Sequence, residues 1–235
     1  MARIEARSVR VESEYGFARK ARNGKVKTFF IDLCEVTHGS YWRDFYATLD
    51  DAAQKATFLP RDENDAPIWF QEPTSGEFQP DPSLMNLPVT GIDAVAALAY
   101  AKKQGKRLPT EAEWLAAAAG HKSRATDYAW GDDFDPMRCN AKESGVGAAV
   151  AVTDLPVGRS HFGLYHVCGN VKEWTATTEE GKDFDDAVPA GEALAIRGGS
   201  YKETARNVSL KWRWVLPGTG SRLTDVGFRC AKDVF

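Results

Sequence analysis

The sequence predicts an α+β domain, and three observations carry that prediction. Residues 92–104 hold an alanine-rich amphipathic run, and residues 108–120 (LPTEAEWLAAAAG) hold a full set of helix start and stop signals. After Gly120 the helical period ends, and short β-prone pieces separated by Gly, Asp, Asn and Pro take over.

In chain order, residues 1–25 form an N-terminal extension or first strand ahead of a body over 26–235. VKTFFIDLCEVT (26–37) is β-branched and aromatic, which predicts a strand leading into a helix from His38 to Leu49 with Thr37 as its N-cap. Tyr41, Trp42 and Phe45 recur at helical spacing and predict core packing. Between Thr57 and Pro88 lie six of the eleven prolines, so that stretch predicts an extended surface connection, pinned to the body by Trp69 and Phe70. In the 92–104 helix Asp93 stands early, lysines late, and Gly105 at the stop. Thr110 and Glu113 form a capping box, each side chain satisfying an orphan amide of the first turn, and Gly120 closes that helix. The β-prone pieces are DYAWGDDF, AVAVTDLPVG, FGLYHVCGNVKEW, ALAIRGGSY, LKWRW and VGFRCAK.

Composition narrows the function. A chain of 235 residues with 43% hydrophobic content is long enough for one substantial core. A net charge of -3 from 30 basic and 33 acidic residues lacks the footprint of a nucleic-acid binder. No apolar run approaches the ~20 residues of a membrane span, and the first residues lack a signal-peptide apolar stretch, so the chain as written is expected to be cytoplasmic and not inserted in a membrane. Cys34, Cys139, Cys168 and Cys230 are scattered, which predicts buried free thiols and no closed zinc site. His38, His121, His161 and His166 form no metal-ligand spacing, and His161 and His166 could meet across a turn in a structural role. Nucleophile-elbow, phosphate-loop and dinucleotide motifs are absent.

Taken together, EVTHGSYWRDF (35–45), RLPTEAEW (107–114), YAWG (128–131), FGLYHVCGNVKEW (162–174), IRGGSY (196–201) and GFRCA (227–231) resemble, in order and spacing, the formylglycine-generating enzyme or sulfatase-modifying factor family. The resemblance implies a loop-rich variant of the C-type lectin-like fold with small antiparallel sheets. It also implies a range of roles. The founding enzyme uses two cysteines just after the RGGS motif to hold copper and, with oxygen, oxidises a cysteine of a sulfatase to formylglycine. Other members resemble ligand-binding proteins, among them C-terminal domains of bacterial Ser/Thr kinases and variable proteins of retroelements.

Laid on this sequence, the two cysteine positions fall at Glu203 and Val208, and neither is a soft thiolate ligand. The resemblance therefore argues against copper and favours a non-catalytic binding domain for a protein or peptide; the alternative is an oxygen-dependent oxidoreductase with a differently built metal site. Calcium stays open. One family site would use the side chain at 166, the carbonyls of Gly169 and Val171, and the Glu173 carboxylate, but His166 is a poor ligand for a hard cation. The other would begin at Asn140 with the carbonyl of Ala141.

The surface that the resemblance assigns to ligand binding spans 201–225. Its candidate residues are Tyr201, Lys202, Glu203 and Arg206, with Trp212, Arg213 and Trp214, and then Arg222 and Asp225. Strand alternation in Trp212-Arg213-Trp214 predicts both indoles on one face and Arg213 on the other, one face buried and one in solvent. Tyr201 and Glu203, just past the double glycine, are the first candidates to line a pocket.

Overall fold

The computed structural model describes residues 1–15, 18–120 and 126–234; His121 lies outside them. The chain opens with strand β1 (Ala2–Ile4), then the hairpin of β2 (Arg7–Tyr15) and β3 (Ala18–Val26), then β4 (Phe29–Ile31). Four α-helices follow: α1 (His38–Asp44), α2 (Ala52–Phe58), α3 (Ala94–Lys103) and α4 (Glu111–Ala119), with the two-residue strands β5 (Phe70–Gln71) and β6 (Phe78–Gln79) between α2 and α3. The second half holds β7 (Lys172–Thr178), β8 (Ala193–Arg197), β9 (Trp214–Pro217), β10 (Val226–Gly227) and β11 (Ala231–Asp233). Its remaining residues are loops and short 3₁₀ turns. Among the described residues no helix is long and apolar enough to cross a membrane.

Two small sheets organise this loop-rich body. In one, β4 lies between β1 and β11, antiparallel to both, so the opening strand is part of the body. The other has the order β10-β7-β8-β9, with β10 parallel to β7 and the remaining pairs antiparallel. Strand β7 is buried along its whole length. The apolar side chains form two clusters. Tyr41, Trp69, Tyr100, Trp174 and Phe228 centre one against α1 and α3; Ile4, Phe29, Trp114, Leu164 and Val208 centre the other against α4.

Local chemistry explains the helix starts. Thr110 accepts a hydrogen bond from the Glu113 amide at 3.2 Å while Glu113 accepts one from the Thr110 amide at 2.9 Å, the reciprocal cap its spacing predicts. Thr37 accepts from the Ser40 amide at 3.0 Å, and Asp93 from the Ala96 amide at 3.0 Å. Three expectations need correction. The helix from His38 ends at Asp44, because Phe45 (φ -138°, ψ -69°) breaks the helical path and lets both Phe45 and Tyr46 turn inward. The 57–88 stretch is more ordered than its prolines suggest: α2, capped by Asp51, runs to Phe58, and β5 pairs with β6. Within it Trp69 is buried, donating from Nε1 to His38 Nδ1 at 2.9 Å, whereas Phe70 points outward. The expected strands around 127–134 and 149–158 are turns and loops whose backbone groups are met by local turn bonds and by side chains, as when the Tyr128 amide donates to the Gly131 carbonyl at 2.8 Å and the Val150 amide to Asn170 Oδ1 at 2.9 Å.

One buried carboxylate joins elements that are far apart in the chain. Glu111, fully buried at the start of α4, accepts from Arg197 Nε at 3.0 Å, Arg213 Nε at 2.8 Å and Arg22 Nη2 at 3.1 Å. Arg197, the arginine of the RGGS motif, is also fully buried, and donates to the carbonyls of Leu210 (3.0 Å), Trp212 (3.0 Å) and Glu12 (2.8 Å). The β2 edge completes the junction: the Glu14 amide donates to the Lys211 carbonyl at 2.9 Å and the Arg213 amide to the Glu14 carbonyl at 3.0 Å.

Two predictions follow from these contacts. Removing one partner of a buried ionic cluster leaves uncompensated charge, so Glu111→Gln lowers unfolding free energy by about 3 kcal/mol or more in a urea titration. His38 is held neutral: burial depresses its pKa from 6.5 to about 4. Its contribution to stability is full above the ordinary histidine value and is lost as the pH falls through the folded value. Stability therefore declines from about pH 6.5 toward pH 4, and urea midpoints measured across that window fall less steeply in His38→Gln.

Candidate functional site

The site is built where two tight turns meet. Gly198 (φ +94°) and Gly199 (φ +68°) send the chain out of β8 through left-handed conformations, and a Cβ on Gly199 would lie 2.7 Å from the Asn207 carbonyl oxygen. This bend holds Arg197 in the core while turning the following residues toward the surface. The partner turn is 168–170, where the Gly169 amide donates to the Gly198 carbonyl at 2.7 Å and the Tyr201 amide to the Asn170 carbonyl at 3.0 Å. A third loop supports both: the Lys142 amide donates to the Glu203 carbonyl at 2.8 Å, and the Ala205 amide to the Glu143 carboxylate at 3.0 and 3.1 Å.

On this support stands a charged cluster centred on Lys172 of β7. Its ammonium is 2.7 Å from Asp225 Oδ2 and 3.0 Å from Glu203 Oε1, and it lies 4.8 Å from the centre of the Trp214 ring. Ser200 Oγ donates to the same Asp225 oxygen at 2.6 Å. Burial pushes the Asp225 carboxyl up, but the Lys172 ammonium and the Ser200 hydroxyl outweigh it and hold the group below its ordinary value. Lys202 reaches Asp225 at 3.8 Å and Glu63 at 3.6 Å, and its ammonium sits 5.6 Å from the Tyr201 ring centre. Thr224 ties in the long loop, donating from Oγ1 to Glu63 at 2.7 Å.

Tyr201, Lys202, Glu203, Trp214 and Asp225 thus come together. Trp212 packs against Trp214 with ring centres 6.0 Å apart, and Arg206 stacks over Trp212 at 5.2 Å, extending the patch. Arg222 is farther out, donating to the Thr57 carbonyl at 2.8 Å. Arg213 does not belong to the patch. Against the expectation of one face in solvent, it is buried with Trp212, because Glu111 and the Thr178 carbonyl (2.9 Å) draw its guanidinium inward. Lys172, Ser200 and Glu63 belong to the cluster and escaped the sequence reading. The available signal was Lys172 itself, a lone cation in the strand sequence KEWTATT.

Of the positions assigned to metal, the side chains of Glu173 and Asn140 serve other bonds. Both oxygens of Glu173 face Arg229, at 2.7 Å from Nε and 2.7 Å from Nη2, and Trp114 Nε1 donates to Oε2 at 2.9 Å. In this arrangement Glu173 neutralises a buried guanidinium. Asn140 donates from Nδ2 to the Ala148 carbonyl at 2.8 Å and to Asn170 Oδ1 at 3.1 Å. Gly169 (φ +92°) is needed for space, since a Cβ there would meet the Asn140 carbonyl oxygen at 2.3 Å. The Val171 side chain is fully buried, and His166 sits beside the turn with Nε2 3.2 Å from the Ala151 carbonyl. Among the described residues no group of three or more His, Cys, Asp or Glu side chains is placed to hold an ion.

A soft-metal pair fits no better at 203 and 208. Glu203 is engaged by Lys172, and the Val208 isopropyl group has 0% exposure. All four cysteines are free; Cys139, Cys168 and Cys230 are buried and Cys34 is half-buried. Burial pushes each thiol up, Cys139 to about 12, away from the thiolate form that binds copper or attacks a substrate.

A family model described as the sulfatase-modifying factor enzyme 1-like domain matches residues 2–234. The chain is 31% identical over 251 residues to the inactive C-alpha-formylglycine-generating enzyme 2 of Mus musculus, covering 90% of this chain and 77% of that protein. It is 29% identical over 215 residues to the serine/threonine-protein kinase Pkn1 of Chlamydia trachomatis serovar L2, covering 88% of this chain but 33% of the kinase. In architecture it is similar to Treponema denticola variable protein 1, with a TM-score of 0.71 at 18% identity over 99% of this chain and 94% of that one.

Proposed function

The chain belongs to the family of sulfatase-modifying factor enzyme 1-like domains, and from that premise we propose that it is a non-catalytic binding module for a protein or peptide, with its ligand on the 201–225 surface. One observation carries this reading: the two positions that hold the reactive sulfurs in the founding enzyme are here a carboxylate ion-paired to Lys172 at 3.0 Å and a fully buried isopropyl group. A copper(I) oxidase needs soft thiolates that act together. This scaffold offers in their place a fixed patch of aromatic and charged groups.

Such a patch suits recognition. Tyr201 and Trp214 are half-buried and rigidly framed, Lys202 is exposed, and the loops beneath them are joined by backbone bonds, so little order is lost on binding. The net charge of -3 favours a protein or peptide over nucleic acid. Similarity to a mouse relative named inactive supports the loss of oxidase chemistry. The match to a third of a kinase supports the reading that a domain of this kind serves as an interaction part of a larger protein.

The test has two arms. Protein incubated with copper(I), then given a cysteine-containing sulfatase peptide and oxygen, consumes no oxygen above a protein-free control. Peptides selected for binding to the wild-type chain lose about tenfold or more in affinity on Tyr201→Ala, the scale of an aromatic anchor. Formylglycine in the first arm, or selected peptides indifferent to Tyr201 and Lys202 in the second, overturns the reading.

A further inference from the structure

A cleft of about 500 Å³ borders the Glu111 junction and includes none of the Lys172 cluster. Its floor is Arg22, Glu111 and Arg213; Val11, Ala21 and Val215 supply apolar wall, and Glu179 and Glu180 stand at the rim. That volume falls in the range of natural small-molecule sites.

Charge at the floor is unbalanced. Arg22, Arg197 and Arg213 surround one carboxylate, so two positive charges exceed what Glu111 neutralises. Asp183, half-buried, also faces Arg22; its carboxyl accepts from Thr177 at 2.6 Å and offsets one of these two charges, leaving one at the floor. Like-charge repulsion from Arg213 and Arg22 also acts on Arg197. Excess buried cation calls for an anion.

Arg22 has the means to receive one. Its side chain is 37% exposed, and a single hydrogen bond, from Nη2 to Glu111, is its only one among the described residues; Nε and Nη1 are left to the cleft. Gly181 keeps that face open: a Cβ there would lie 3.2 Å from Arg22 Nε. Ser13 Oγ accepts a long bond from Arg197 at 3.4 Å and retains its proton for a ligand. An anion alone would meet opposition at the rim, where Glu179 and Glu180 are exposed and Glu180 is paired with exposed Lys182 at 3.2 Å. A molecule with positive charge at its outer end satisfies both.

We propose that this cleft binds a dipeptide-sized aliphatic zwitterion: its carboxylate on Arg22 and Ser13, its apolar part against Val11, Ala21 and Val215, its ammonium at Glu179 and Glu180. The cleft shares Arg213 and Val215 with the 201–225 segment but none of the Lys172 cluster, so its failure leaves that reading untouched. No covalent step is involved.

Calorimetric titration of the whole chain with Ala-Leu, its C-terminal amide and its N-acetyl form tests the assignment. Ala-Leu binds, the amide binds about tenfold or more weakly, and the N-acetyl form about threefold or more weakly, in line with loss of a charge-assisted pair at the floor and a screened one at the rim. Arg22→Gln weakens Ala-Leu about tenfold in protein whose circular dichroism is unchanged. Should that variant fail to fold, Glu179→Gln at the exposed rim, expected to lose the preference for Ala-Leu over its N-acetyl form, decides together with the three probes on the wild type. No heat from Ala-Leu at about 10 mM, equal binding of dipeptide and amide, or affinity indifferent to both substitutions overturns the proposal.

Discussion

The carboxylate of Glu111 is the constraint on which the rest of this structure depends. Small sheets and short helices bury too little continuous surface to orient one another by packing alone, and most of the second half lies in loops. Three guanidiniums from β3, β8 and the 211–214 segment converge on one buried acid at the head of α4, fixing the N-terminal hairpin, the double-glycine bend and the tryptophan pair relative to one helix. A buried ion cluster of this kind is weak evidence for stability and better evidence for a specified arrangement. In a loop-rich body, arrangement is the scarcer quantity.

The same logic repeats at Arg229 and Glu173. That pair closes β7 against the last segment of the chain, while Arg229 donates to the carbonyls of Leu33 at 2.9 Å and Tyr165 at 2.7 Å. Arg197 and Arg229 each satisfy several carbonyl groups that no strand pairs, so guanidinium forks take over the work that ladder bonds perform in a larger sheet. Motifs such as RGGSY and GFRCA carry this structural chemistry whether or not a reactive group sits beside them.

That division explains what was legible in the sequence. Helix caps at Thr37, Asp93 and Thr110 depend on neighbours within three residues, and the spacing shows them. The double glycine announces a bend for the same local reason. Long-range partners leave no such trace: Glu111 meets Arg197, Arg22 and Arg213 across 86, 89 and 102 positions. Strand alternation therefore sent Arg213 to solvent when a distant acid draws it in. Lys172 was hidden by equally distant partners, Asp225 lying 53 positions away. The prolines of 57–88 marked a surface excursion but concealed the β5–β6 pair inside it.

Val208 limits what the loop after the double glycine can carry. With no accessible surface, it sits among apolar neighbours shaped around a branched hydrocarbon, and its backbone is pressed against Gly199. Putting sulfur back at 203 and 208 would place one thiol in a sealed interior and strip Lys172 of one of its two counter-ions. Cysteines at both positions would leave one of the two sulfurs without access to solvent or metal.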